Sequence, residues 1–263
     1  MPPFLEFQEA AKEAALKAAE VLAYWREKFQ VKEKGRADLV TDADVASQKI
    51  IREHLLGRFP EHGFLGEEDM SSHGRLPADA PPTWIVDPID GTTNYVHDFP
   101  FYCISIGLMT EGELTVGVIY DPSKKEMFAA AKGHGAFLNE RRIQTTKIDR
   151  IEDALLSTGF APDVRNQNRP FEWWRWFSTR AQSVRRTGST ALNVAYVAAG
   201  RFDGYYAFDN HVWDIAAAAA ILLEAGGTIT NLEGDGYDPF RPDAIATNGP
   251  LHPILADAFR VGP

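Results

Sequence analysis

The segment WIVDPIDGTTN, Trp84 to Asn94, constrains this chain more than any other. Trp84 to Val86 read as a buried strand, and the strand runs straight into Asp87 and Asp90. Pro88 and Gly91 are turn formers, so both carboxylates stay near the strand end. No cation lies between or just after them. Carboxylates crowded together must both face water or share something that the chain itself does not carry. The fold therefore has to bring a buried strand to a place where charge is handled, and in layered α/β folds strand ends and helix starts are such places.

The rest of the chain supplies those layers. Its 263 residues are enough for one large domain or two small ones. Residues 4 to 29 have the spacing of an amphipathic helix, and Thr41 can cap a second that runs to about Leu56. GFLGEED reads as a short strand ending in acids, and SSHGRLPADAPP as a loop. Alternating runs near 101–109, 113–120 and 125–131 predict an antiparallel meander. Beyond it the style changes. ALLSTGF, FDGYYAF, GTITN and AIATN are strands. RPFEWWRWFSTRA, GSTALNVAYVAAG (opened by Ser189 or Thr190), DIAAAAAILLEAGG and the segment after Pro250 are helices. This change suggests subdomains 1–145, with most of the candidate acids, and 146–263, with Asp214, in an α/β layered arrangement.

Composition excludes several functions. A net charge of −10 suits neither nucleic-acid backbones nor anionic membranes. IAAAAAILL is too short to span a bilayer, and the acidic amphipathic start has no signal-peptide core, so the cytoplasm is the default expectation. The single Cys103 cannot form an internal disulfide and reads as a small buried side chain.

Four acids stand at element boundaries: Glu67 after GFL, Asp87 and Asp90 after WIV, and Asp214 at the start of the Ala-rich helix. Each alone has a plain structural reading, as a helix-start acid, solvated loop or turn former. Asp90-Gly91-Thr92-Thr93 is harder to read that way, because Gly91 permits close backbone approach and the next residues can begin a helical turn. Free N–H groups there bind phosphate oxygens. Carboxylates beside a phosphate need hard cations between them, and oxygen-only ligands suit Mg²⁺ or Mn²⁺ rather than zinc. Paired cations can stabilise both the attacking and the leaving oxygen of a phosphoryl transfer.

GEED (66–69), WIVDPIDGTTN (84–94) and WDIAA (213–217), with DLVTDAD (38–44) and GSTALNVAYVAAGRFDGYYAF (188–208), together resemble the inositol monophosphatase family of Mg²⁺-dependent phosphatases, a branch of the fructose-1,6-bisphosphatase superfamily. The resemblance spans nearly the whole chain with the motifs in order. It implies a five-layer αβαβα sandwich, a homodimer, and a small phosphate monoester as substrate. It implies a first metal on Glu67, Asp87 and the carbonyl of Ile89, a second on Asp87, Asp90 and Asp214, and a third ion held with help from Glu67. Gly91 and Thr92 would meet the phosphate through backbone N–H groups. The Thr92 hydroxyl, paired with Asp44, would orient and deprotonate the attacking water. Asp90→Asn or Asp214→Asn is expected to abolish turnover with the fold kept.

The chain departs from the family pattern in two places. Members selective for inositol phosphates carry a hydroxyl-binding glutamate seven residues before the WD aspartate, and here that position is Ala207, with Asp209 nearby. The mobile-loop lysine corresponds to Lys34 with one gap or to Glu33 without, in a charged loop KEKGRAD. His97 and His211 flank the motifs as packing or supporting groups. Inositol monophosphate is the leading substrate. The alternatives are the same chemistry on fructose 1,6-bisphosphate, NADP, 3′-phosphoadenosine 5′-phosphate or histidinol phosphate, and a non-catalytic regulatory protein with the same fold.

Overall fold

The structure is a computed structural model that describes residues 3–35, 38–69, 75–161, 164 and 167–263, with the side chains at 3, 33–35 and 38–39 outside that description. In chain order it contains α1 (Pro3–Trp25), β1 (Val31–Gly35), β2 (Asp38–Thr41), α2 (Asp42–Arg58), β3 (Gly63–Gly66), β4 (Thr83–Asp90), α3 (Thr92–Val96), β5 (Cys103–Thr110), β6 (Glu113–Asp121) and β7 (Glu126–Ala131). It continues with β8 (Gly135–Leu138), β9 (Arg141–Arg142), β10 (Leu155–Thr158), α4 (Arg169–Ser178), β11 (Ser183–Arg186), α5 (Thr190–Ala198), β12 (Gly204–Ala207), α6 (Val212–Glu224), β13 (Thr228–Thr230), β14 (Ala244–Thr247) and α7 (His252–Val261).

A seven-stranded sheet runs β3-β4-β5-β6-β7-β8-β9, and a five-stranded sheet runs β11-β10-β12-β14-β13. On the outer face of the larger sheet, Ala10, Ala14 and Ala18 of α1 and Ile51 and Leu55 of α2 pack on Trp84, Val86, Ile106 and Val116. Alanine at those α1 positions lets the helix lie close to the sheet. Between the sheets lie α5 and α6, whose Ala191, Val194, Ala217 and Ile221 touch Ile119 and Phe128 on one side and Tyr205 and Ala246 on the other. The far face is closed by Trp173 and Phe177 of α4 and Leu255 of α7, over Leu156, Tyr206 and Ile245. The order is αβαβα, five layers. Among the described residues no helix is long and apolar enough to cross a membrane.

The meander runs as expected, as β5, β6 and β7 in antiparallel register. Three expectations change. The first helix ends at Trp25 rather than near residue 29. The charged KEKGRAD stretch is not a plain loop, because β1 and β2 pair antiparallel, Val31 opposite Thr41 and Glu33 opposite Leu39. Backbone pairing between neighbours supplies what charged side chains could not announce. The Lys34 and Glu33 side chains lie outside the described residues. The strand expected at Trp84–Val86 extends through both aspartates to Asp90. All eight residues of β4 are buried, since Trp84 and Val86 face α1 and α2 while Ile85 faces Val212, Trp213 and Ala216 of α6.

Candidate active site

Alternation along β4 sends Asp87 to the same side as Ile85, toward α6, and would send Asp90 to the opposite face. The register prevents that. Asp87 pairs with Ser105, but Asp90 pairs with Cys103, so β4 carries one residue more than its partner between these pairs. Such a bulge re-aims the side chain after it. Ser105 and Cys103 share one face of β5, so Asp87 and Asp90 come to face the same way. Ile89 N–H, within the bulge, donates to Asp87 Oδ1 at 3.0 Å. Next comes Gly91 at φ 97, a left-handed conformation, where an added Cβ would lie 3.1 Å from the Phe101 carbonyl oxygen. The chain then turns into α3, whose first-turn amides at Thr92 and Thr93 have no acceptor within the helix.

Neighbouring elements bring the other acids. Glu67 N–H donates to the Val86 carbonyl at 3.1 Å, which extends the β3–β4 pairing and holds Glu67 beside Asp87. Asp214 enters on α6. Gly117 sits opposite Gly107 in the β5–β6 pair, and an added Cβ there would lie 2.1 Å from the Ala217 carbonyl oxygen. The helix backbone thus rests on the sheet, and the start of α6 is set above the end of β4. There Asp214 Oδ2 accepts from His211 N–H at 2.8 Å, closing the helix start. His211 stacks on Trp213 with ring centroids 4.8 Å apart.

Asp44 has two connections. In the first turn of α2 its Oδ2 accepts from Thr41 N–H at 2.7 Å and from the Thr41 hydroxyl at 2.6 Å. Its Oδ1 lies 3.2 Å from Thr92 Oγ1, which donates to it and also lies 3.0 Å from the Ile89 carbonyl. The expected Thr92–Asp44 pair is therefore present, and the cap of α2 is what holds it.

Electrostatics divide the group. Burial, and then the charges of Glu67, Asp90 and Asp214, raise Asp87 well above the usual carboxylate range. The side chain of Glu67 adds to this rise through its closeness as well as its charge. Asp44 is raised to about 7 by burial, against its bonds from Thr41. Asp90 is raised to about 6 by burial, though donors pull it the other way. Those donors are the Ser189 hydroxyl at 2.5 Å and Ala191 N–H at 2.6 Å, both to Oδ2, and Thr190 N–H at 3.2 Å to Oδ1. Asp90 thereby ties β4 to the start of α5. The sequence offered Ser189 only as a helix cap; its 99-residue separation from Asp90 left no local signal for this second contact.

Among the described residues, no three acidic, histidine or cysteine side chains stand in the tight group of a ready-made metal cage. The donor chemistry nevertheless fits a hard divalent cation. The donors are oxygens only, and the acids acting on buried Asp87 (Glu67, Asp90 and Asp214) raise a cost that such a cation relieves. Thr93 is exposed, with its carbonyl accepting from His97 N–H at 3.1 Å. His97 and Asp209 are exposed, whereas Ala207 is buried at the end of β12. Cys103 is buried beside Asp90 and its thiol is raised well above its ordinary range by burial, as a structural cysteine should be.

Known proteins are similar to this chain in sequence and in fold. Residues 5–261 match the model of the inositol monophosphatase family. The inositol-1-monophosphatase of Synechocystis sp. is 41% identical over 259 residues, covering 97% of this chain and 89% of that protein. The solved inositol monophosphatase of Anabaena (Nostoc) sp. superposes with a TM-score of 0.88 at 36% identity, covering 100% of this chain and 98% of the other. The extragenic suppressor protein SuhB of Bartonella henselae superposes at 0.90 with 37% identity, covering 98% and 100%. With the family match over nearly the whole chain and the same fold in its solved relatives, this chain belongs to the inositol monophosphatase family.

Proposed function

We propose that the protein hydrolyses the phosphate monoester of a small polyol, inositol monophosphate foremost, with Mg²⁺ as its cofactor and Mn²⁺ as a substitute. The observation that carries this reading is the part-buried Thr92–Asp44 pair at 3.2 Å, beside an Asp87 whose carboxyl is raised by burial and by Glu67, Asp90 and Asp214. Glu67, Asp87, the Ile89 carbonyl, Asp90 and Asp214 would hold two or three cations, drawing carboxyls together that repel one another without them. Bound there, the cations lower the pKa of a water and offset charge on the ester oxygens.

The chain's own groups do the rest. The amides of Gly91, Thr92 and Thr93 face the phosphate oxygens, and Asp90 and Asp214 border the substrate. Thr92 Oγ1 takes the proton of the attacking water as its own proton passes to Asp44 Oδ1. Without cations, burial raises the Asp44 carboxyl to about 7, a direction that favours its taking a proton. A second water supplies the proton to the departing alkoxide.

Residues 1–145 and 146–263 are best treated as two subdomains. Supporting that division, each sheet is confined to one of them, although α5 and α6 pack on both sheets. The protein is read as cytoplasmic and homodimeric. An aromatic patch supports the dimer: Phe171 and Trp174, 42% and 38% exposed, flank Phe160 at 5.2 and 5.8 Å. Sedimentation of the protein and of its Trp174→Glu variant tests it.

Phosphate release from inositol 1-phosphate, fructose 1,6-bisphosphate, glycerol 2-phosphate, 3′-phosphoadenosine 5′-phosphate, NADP and histidinol phosphate, with and without Mg²⁺, tests the function. Metal-dependent release is expected, highest on inositol 1-phosphate. No release from any of them overturns the reading.

A further inference from the structure

The face of α2 that carries Asp44 holds more of the site than Asp44 alone. Residues 44, 47, 48 and 52 are three or four apart, so their side chains leave one side of the helix. Asp44 meets Thr92. Ser47, fully buried, donates its hydroxyl to the Pro88 carbonyl at 3.2 Å, inside the bulge of β4. Gln48 and Arg52 reach the acidic turn after β3. Gln48 Oε1 accepts from Glu68 N–H at 2.9 Å, and its Nε2 donates to Asp69 Oδ1 at 3.2 Å. Arg52 pairs with Asp69 Oδ2 and lies over the Phe64 ring, 4.1 Å from its centroid.

These contacts leave the Gln48 amide one orientation. A backbone N–H can only donate, so the atom facing Glu68 is the amide oxygen, and the nitrogen faces the carboxylate. Gln48 is 6% exposed, and both ends of its amide are satisfied. Asp69 Oδ2 also accepts from Gly66 N–H at 3.1 Å, and Asp69 N–H donates back to the Gly66 carbonyl at 3.1 Å. Glu67 N–H, between them, donates to the Val86 carbonyl. Three consecutive amides, at 66, 67 and 68, are therefore fixed, and two of their acceptors are the side chains of Asp69 and Gln48. Gly66 leaves room for this, because an added Cβ would collide with Gln48 Oε1.

We propose that Gln48, Arg52 and Asp69 are positioning residues that fix Glu67 beside Asp87 before a cation arrives. One helix thereby places the cation-binding end of the site relative to Asp44, its base. The proposal rests on the assignment of Glu67 to Mg²⁺ in the reading above.

The test is calorimetric titration of the metal-free protein with Mg²⁺, paired with phosphate release from inositol 1-phosphate across Mg²⁺ concentrations. Gln48→Glu keeps the shape and the acceptor for Glu68 N–H, but sets a second carboxylate oxygen against Asp69. It should weaken Mg²⁺ binding about tenfold, the scale for a group that orients a metal ligand, and kcat should return at saturating Mg²⁺. Arg52→Gln should weaken binding less. Each change makes the protein more negative, so charge alone would tighten cation binding, and weakening reports position instead. Gln48→Glu combined with Asp69→Asn exchanges donor and acceptor at the wild-type net charge, and should restore the affinity. The affinity is read on the folded fraction, so a poorly folding variant remains informative. Tighter or unchanged Mg²⁺ binding in Gln48→Glu, or a double variant no better than the single one, overturns the proposal while leaving the phosphatase reading intact. A wild-type protein that binds no Mg²⁺ overturns the proposal together with the metal assignment beneath it.

Discussion

Asp87 and Asp90 lie on one strand and face one way, yet their surroundings are opposite. Asp87 sits among acids: Glu67, Asp90 and Asp214 all raise it, and the backbone offers it Ile89 N–H. Asp90 sits among donors: a hydroxyl and two amides at the start of α5 hold its carboxylate. The first environment stores unfavourable charge that a cation would relieve. The second satisfies charge within the protein and joins the helix layer between the two sheets to the strand. Residues that look equivalent in DPIDG thus carry different loads, one mainly chemical and one also structural.

Substitutions should separate the two. The largest effect is expected for Asp87→Asn, with phosphate release down ~10³-fold, the scale of losing a major electrostatic stabiliser. The metal-free variant should melt no lower than the wild type, since the carboxyl removed is one that burial and three neighbouring acids disfavour in its charged form; a clear drop in melting temperature would count against the contrast. Asp44→Asn should lower kcat by ~10²-fold or more, as for loss of a general base, with Mg²⁺ affinity kept in calorimetry. Asp90→Asn should lose activity and also ~2–3 kcal/mol of stability in urea unfolding, because an amide nitrogen would face donors it cannot accept from. This revises the expectation from sequence that the fold would survive this change untouched. An Asp90→Asn protein as stable as Asp87→Asn would erase the distinction.

The smallest effect is on pH. The folded-state values of Asp44 (about 7) and Asp90 (about 6) lie above the ordinary aspartate value of 3.8, and Asp87 is raised well above it too. Between about 4 and 7 the folded protein therefore binds more protons than the unfolded chain, and stability falls as pH rises through that window. The metal-free protein should melt lower at about pH 8 than at about pH 5, and Mg²⁺ should raise the melting temperature more at the higher pH. A larger Mg²⁺ shift at the lower pH would contradict the acidic-cluster assignment.

Much of this was legible in the chain. Period-two runs marked β5 to β7, and Thr41 and Ser189 marked helix starts, because these signals depend on neighbours in sequence. The acids of the site were legible one by one, as boundary residues, and as a set through the family's motifs. Other features were not. The β1–β2 pairing, the two-residue β9 and the parallel edge strand β11 rely on backbone pairing that weak local propensity does not foretell. The contacts of Gln48 and Arg52 with Glu68 and Asp69 join residues whose pairing depends on how α2 lies against β3.

By itself the sequence determined that acids would gather at a strand end beside a glycine turn, because Asp87, Asp90 and Gly91 lie within five residues of one another. Tertiary structure decided which way those acids point and what each one meets. The extra residue in β4 exists only relative to β5, and it turns Asp90 to the same side as Asp87. Gly117 admits α6 to the sheet and so sets Asp214 in place. The start of α5, 99 to 101 residues along the chain, supplies the donors that hold Asp90. Register and close approach are properties of pairs of segments, and no single segment encodes them.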